Sequence, residues 1–206
     1  MGAVTLGPIS AAWAAAPSND ALVPTPNDTI SSCAQGYAAR GTTVCQTDNS
    51  TVTYYMDSNG EFELEQVDRD IVVSAMAKYR NNTVLSISYD STPTFSGSGE
   101  TDVIYQEGDF GFPDDYIGIV WCNDVQNGST WKCDQQYVRI RGAGKITNKS
   151  ARHETGHAFG LMHGPQWAPS RGHCDDIVGI MRGALDCMDD ANLGSVVKNN
   201  IDWVYG

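Results

Sequence analysis

Three of the chain's four histidines fall within eleven residues, in the stretch His153-Glu154-Thr155-Gly156-His157-Ala158-Phe159-Gly160-Leu161-Met162-His163. On a helix, residues four apart stand one turn above each other with Cβ atoms about 5–6 Å apart, so His153 and His157 face a common point. A helix continued to His163 would carry that residue about ten positions and nearly three turns beyond His153. The three imidazoles meet only if the chain reverses between them. Gly160 is the residue that permits it, because glycine adopts the left-handed backbone that ends a helix. The segment therefore asks for a helix that stops near 160 and a return that brings His163 back to the first two.

Zinc accepts imidazole nitrogens at ~2.0–2.1 Å, and catalytic zinc sites combine three protein ligands with a fourth position for water. His153, His157 and His163 are the candidate ligands. His173 is the alternative fourth, and it would close the site. Glu154 adjoins the first ligand but points about a quarter turn away, which suits a base acting on water better than a ligand. Zinc lowers the pKa of bound water toward ~7, so the expected chemistry is hydrolysis without a covalent acyl-enzyme. The sequence has no GxSxG elbow, in keeping with that expectation.

Six cysteines stand at 33, 45, 122, 133, 174 and 187. Short loops close at the least entropic cost, which favours Cys33 with Cys45, Cys122 with Cys133, and Cys174 with Cys187. Such pairing places the chain in an oxidising compartment and makes it secreted; the alternative is six reduced, buried cysteines in a cytosolic protein. Residues 3–16 resemble the tail of a secretion signal, although no basic residue precedes them. No apolar run approaches the ~20 residues that span a bilayer, so a membrane span is not expected. A formal net charge of -12 argues against nucleic acid or anionic membrane as partner.

At 206 residues the chain fits one domain with a small appendage. Residues 1–50, dense in Pro, Asn, Asp and Ser over 17–32, read as an irregular arm with one disulfide, and 51–206 as the catalytic domain. Strands are expected at 51–56, 84–89, 101–106, 116–122 and 136–141. Leu64, Val67, Ile71, Ala75 and Tyr79 form the stripe of an amphipathic helix ending near Asn81. A second helix begins at 147–150 and stops at Gly160, residues 164–190 form a structured loop, and a last helix covers 193–205. This order indicates an α+β domain.

HETGHAFGLMHG resembles the signature of the metzincin zinc peptidases, in their matrixin-like or snapalysin-like branch. The resemblance implies a zincin fold: a twisted mixed sheet with a long N-terminal helix, an active-site helix and a C-terminal helix. It implies a methionine turn beneath the metal, for which Met181 is the candidate and Met188 the alternative. A Cys174–Cys187 bridge would brace that turn. By the same resemblance an extended polypeptide substrate lies along an edge strand, supplied by 101–106 or by the following GDFGF segment. Residues 164–180, including Trp167, would then line the pocket for the side chain after the cleaved bond. This sequence departs from the pattern in three respects. Snapalysins have Asp where His163 stands. Some metzincins have Tyr where Gly183 stands, so no tyrosine is assigned a role. A cysteine-switch propeptide sequence is lacking.

The expected function is a secreted, monomeric zinc endopeptidase with one catalytic Zn2+. Two other readings remain open at this point: a zinc-stabilised binding module without activity, and a hydrolase of a non-peptide or cell-wall amide. Calcium is optional. The acidic clusters at Asp57/Asn59/Glu61, Asp114-Asp115, Asp175-Asp176 and Asp189-Asp190 lack EF-hand spacing and read as turn and cap residues.

Overall fold

The structure, a computed structural model, describes residues 16–28, 32–41, 44–109, 111, 114–183, 187 and 192–206. Residues 3–15, Met188 and the Asp189-Asp190 pair lie outside the described residues. In chain order the regular elements are β1 (Gln46–Thr47), β2 (Thr51–Met56), α1 (Gln66–Asn82), β3 (Ser86–Tyr89), β4 (Val103–Glu107), β5 (Gly118–Val125), β6 (Lys132–Ile140), α2 (Asn148–Ala158) and α3 (Ser195–Tyr205). Short 3-10 turns occupy Tyr37–Ala39, Gly164–Gln166 and Asp176–Met181.

The strands form one mixed, mostly parallel sheet in the order β1-β6-β4-β2-β3. Only β5 runs antiparallel, pairing with β6 from Gly118 opposite Ile140 to Val125 opposite Cys133. The central strands are rich in β-branched and aromatic residues, and β4 has both faces covered: Val103, Ile104 and Tyr105 are all buried. The expectation that 101–106 offers an open edge is therefore corrected. β4 is paired with β2 on one side and β6 on the other, so its backbone groups are already used. β3 ends the sheet beyond β2, and β5 lies outside β6.

Helix α1 returns the chain between the parallel neighbours β2 and β3. Its buried face is Asp68, Val72, Ala75, Met76 and Tyr79. The expected stripe was thus displaced by one residue at its start: Val67 is 60% exposed and Asp68 is turned inward, where it packs near Glu107. Tyr79 joins α1 to α2. Its ring meets Phe159 edge-on at 5.1 Å, and its hydroxyl donates to the Arg152 carbonyl at 2.8 Å. From β4, the Tyr105 hydroxyl shares a 2.6 Å hydrogen bond with Thr155 Oγ1. Helix α2 is consequently fixed from two sides.

The arm is built into this body. Ala21, Leu22 and Val23 are buried in the main core. β1 adds a short parallel strand to β6 that the sequence reading left out. Residues 33–41 run beside β5: the Gly36 amide donates to the Cys122 carbonyl at 2.7 Å, and Tyr37 stands edge-on to Trp121. Three disulfides, Cys33–Cys45, Cys122–Cys133 and Cys174–Cys187, pair the cysteines by the shortest loops. They suit an oxidising environment. Among the described residues no helix is long and apolar enough to cross a membrane.

Candidate metal centre

The local sequence sets where α2 begins and ends. Thr147 caps it, its Oγ1 accepting from the Ser150 amide at 3.2 Å while the Ser150 hydroxyl accepts from the Thr147 amide at 2.9 Å. At the other end Gly160 adopts φ +90°, and the Leu161 amide folds back to the Gly156 carbonyl at 2.9 Å. A side chain at 160 would press on Leu22 and Gln46, its Cβ 3.1–3.2 Å from their atoms. Backbone and packing both require glycine there.

The reversal brings the three imidazoles together. His153 Nε2 lies 3.0 Å from His163 Nε2 and 3.1 Å from His157 Nε2, and the third separation is also 3.1 Å. Each of the two helical rings has its other nitrogen engaged by a backbone carbonyl. His153 Nδ1 meets the Ile180 oxygen at 2.8 Å, and His157 Nδ1 meets the Leu161 oxygen at 2.7 Å. These carbonyls select the tautomer with hydrogen on Nδ1, which leaves the Nε2 lone pairs converging on one point. Burial holds all three imidazoles well below the usual histidine range, His153 at about 4 and His163 at about 3, with mutual repulsion adding to the effect for His157 and His163. They are neutral, the form that binds metal.

Three imidazole nitrogens converging at this spacing form a group that could hold a metal ion. Tetrahedral bonds of ~2.0–2.1 Å place ligand nitrogens roughly 3.3 Å apart, within a few tenths of an ångström of the spacing found. The spacing of the trio suits a metal ion held by imidazole nitrogens. The other close grouping of metal-type donors among the described residues, Cys33, Cys45 and Cys122, is made of disulfide sulfurs. His173 is exposed and stands apart from the trio, its ring centroid 6.5 Å from that of His163. It lies against Gly183, filling the space a side chain at 183 would take.

Glu154 projects from α2 toward β5 and is only 7% exposed. An ideal Cβ on Gly118 would fall 2.6 Å from the Glu154 Cδ, so the carboxyl is packed on the strand's backbone. Burial pushes it up to about 8. Met181 is fully buried at the end of the Asp176–Met181 turn, with its sulfur under α2 where a Cβ on Gly156 would be. The same turn supplies the Ile180 carbonyl that orients His153. Cys174–Cys187 brackets this floor.

His163 is held from outside the helix. Residues 20–23 run antiparallel to 160–168: the Val23 amide donates to the Gly160 carbonyl at 2.9 Å, the Met162 amide to Ala21 at 2.9 Å, and Asp20 and Ala168 exchange bonds of 2.7 and 2.9 Å. Asn200 of α3 locks this strap, accepting from the Ala21 amide at 2.9 Å and donating to the Asn19 carbonyl at 2.8 Å. Trp167 is corrected from pocket lining to core, since it is 0% exposed and its indole N–H donates to the Met162 carbonyl. Among the described residues, one member of each of three acidic clusters bonds within the protein. Asp57 accepts from Gln106, Asp114 faces Arg141 at 3.5 Å, and Asp176 pairs with Arg182.

Sequence reasoning missed Gly118, the strap and the two orienting carbonyls. Gly118 did leave a signal, as a lone glycine in the run Ile117-Gly118-Ile119-Val120, where it marks close approach. No protein-family model matches the chain, and no curated protein matches it in sequence.

Proposed function

We propose that the chain is a secreted zinc-dependent endopeptidase of the metzincin type, with His153, His157 and His163 as metal ligands and Glu154 as general base. The observation that carries this reading is the convergence of three neutral Nε2 atoms within 3.0–3.1 Å of one another beside a buried carboxyl. A zinc ion bound there would supply Lewis acidity and a water of lowered pKa. The Ile180 and Leu161 carbonyls keep two of the ligand rings in register. Glu154 takes a proton on a carboxylate oxygen and delivers it to the leaving amine, and its dry setting favours holding that proton between the two events. Met181 and the Cys174–Cys187 loop support the floor.

The substrate is an extended polypeptide that adds to β5. The outward backbone groups of β5 belong to Gly118, Val120 and Cys122. The latter two already accept from Gly41 at 3.4 Å and Gly36 at 2.7 Å. The peptide therefore docks at the Gly118 end, beside Glu154. The test is digestion of casein by the wild type and Glu154→Gln, with zinc content measured in both. The variant keeps its metal and loses cleavage by about three orders of magnitude or more. Equal cleavage by the two removes Glu154 from its role, and absence of cleavage by a zinc-loaded wild type rejects the peptidase reading in favour of a binding module or a different amide.

A further inference from the structure

We propose that Gly118, the first residue of β5, is a positioning residue that sets where the Glu154 carboxylate stands; for its effect on turnover the proposal rests on Glu154 being the base. Glycine weakens a strand and needs a reason to be there. The backbone does not supply one, because Gly118 is absent from the residues of positive φ and pairs regularly with Ile140. The reason is steric. A Cβ at 118 would lie 2.6 Å from both Cδ and Cγ of Glu154 and 2.7 Å from its Oε1. Contacts under about 3 Å are not tolerated between such atoms, so the carboxylate would have to move by roughly 1 Å.

Glu154 has little freedom to answer that push by swinging away. It is 7% exposed, and its Cα belongs to a helix tied to Tyr79 and Tyr105. The strand backbone is thus the wall against which this side chain is placed. A larger residue would leave the three imidazoles untouched, since their contacts are to Ile180, Leu161 and one another.

The experiment is a cycle of Gly118→Ala and Glu154→Ala read by thermal unfolding of the zinc-loaded protein, with zinc affinity measured for each variant. Gly118→Ala lowers Tm when Glu154 is present and leaves it unchanged or raised when residue 154 is alanine. Zinc affinity stays within about twofold. An equal loss of Tm in both backgrounds means that the strand itself needs glycine and overturns the proposal. For turnover, Gly118→Ala lowers kcat about 100-fold with KM little changed, as a misplacement of ~1 Å at a reacting centre does. Paired with Glu154→Asp, whose carboxylate is one methylene shorter, it adds no further loss. Unchanged kcat in Gly118→Ala also overturns the proposal. If the wild type cleaves nothing, the peptidase reading falls, while the Tm cycle still decides whether Gly118 positions Glu154.

Discussion

The two halves of the histidine cluster are held in different ways. His153 and His157 occupy one face of α2, a helix with its own cap at Thr147, and spacing alone puts them side by side. His163 lies past the reversal at Gly160, and its position depends on residues far away in the chain: the strap at 20–23, Asn200 on α3, and the indole of Trp167. The helical half can form wherever α2 forms. The loop half is held through contacts with the N-terminal arm and the C-terminal helix, so segments distant in sequence complete the trio.

Removing the loop ligand breaks the comparison most severely. His163→Ala lowers zinc affinity roughly 100-fold or more in a competition titration against a chelator, whereas His173→Ala changes it by no more than a few-fold. The reverse order would make His173 the third ligand. Next comes the reversal itself. Gly160→Ala forces a side chain into a backbone of φ +90° and onto Leu22 and Gln46, and it costs about 2–4 kcal/mol in urea unfolding, with weaker zinc binding alongside. If only stability fell and zinc affinity held, the reversal would not be what delivers His163.

Asn200→Ala probes the strap at long range. It leaves the Ala21 amide and Asn19 carbonyl without their buried partner, and is expected to lose about 1–3 kcal/mol, with more rapid amide exchange along 160–168 than along α2. Uniform acceleration in both segments would deny the division into halves. The smallest effect lies away from the site and serves as a control. Burial holds the Asp102 carboxyl above the usual carboxylate range, with the nearby Asp48 adding to the shift despite hydrogen bonds from Thr53. A carboxyl raised in the native state favours folding while protonated, and that contribution is lost as pH rises from about 4 through its native value. Asp102→Asn therefore gains on the order of 1 kcal/mol relative to wild type between pH 4 and pH 7.5, read by denaturant midpoints, with no change in zinc affinity.

The division also explains what could be read from the sequence. Periodicity is local, so α2, its stop near Gly160 and the facing pair His153/His157 were legible, as were most strands and the three short-loop disulfides. Which strand lies at the edge is a matter of pairing order, fixed by contacts between segments distant in sequence. For that reason β4 was mistaken for the edge and Gly118 passed over. The strap was invisible on the same ground: Ala21 meets Asn200 across 179 positions. The error on α1 has another origin. A valine at 67 fits the apolar period, but the helix turns Asp68 inward toward Glu107, and a pattern read by hydrophobicity alone does not register an inward carboxyl.

The central claim is that three histidines bind one divalent ion and leave a position open. Anomalous diffraction at the zinc edge, from crystals of the chain grown with zinc, tests it directly. The predicted result is a single peak bonded to Nε2 of His153, His157 and His163, with its remaining vertex taken by a group that is not part of the chain. A peak away from this trio, or one whose coordination is closed by a protein side chain such as His173, would contradict it.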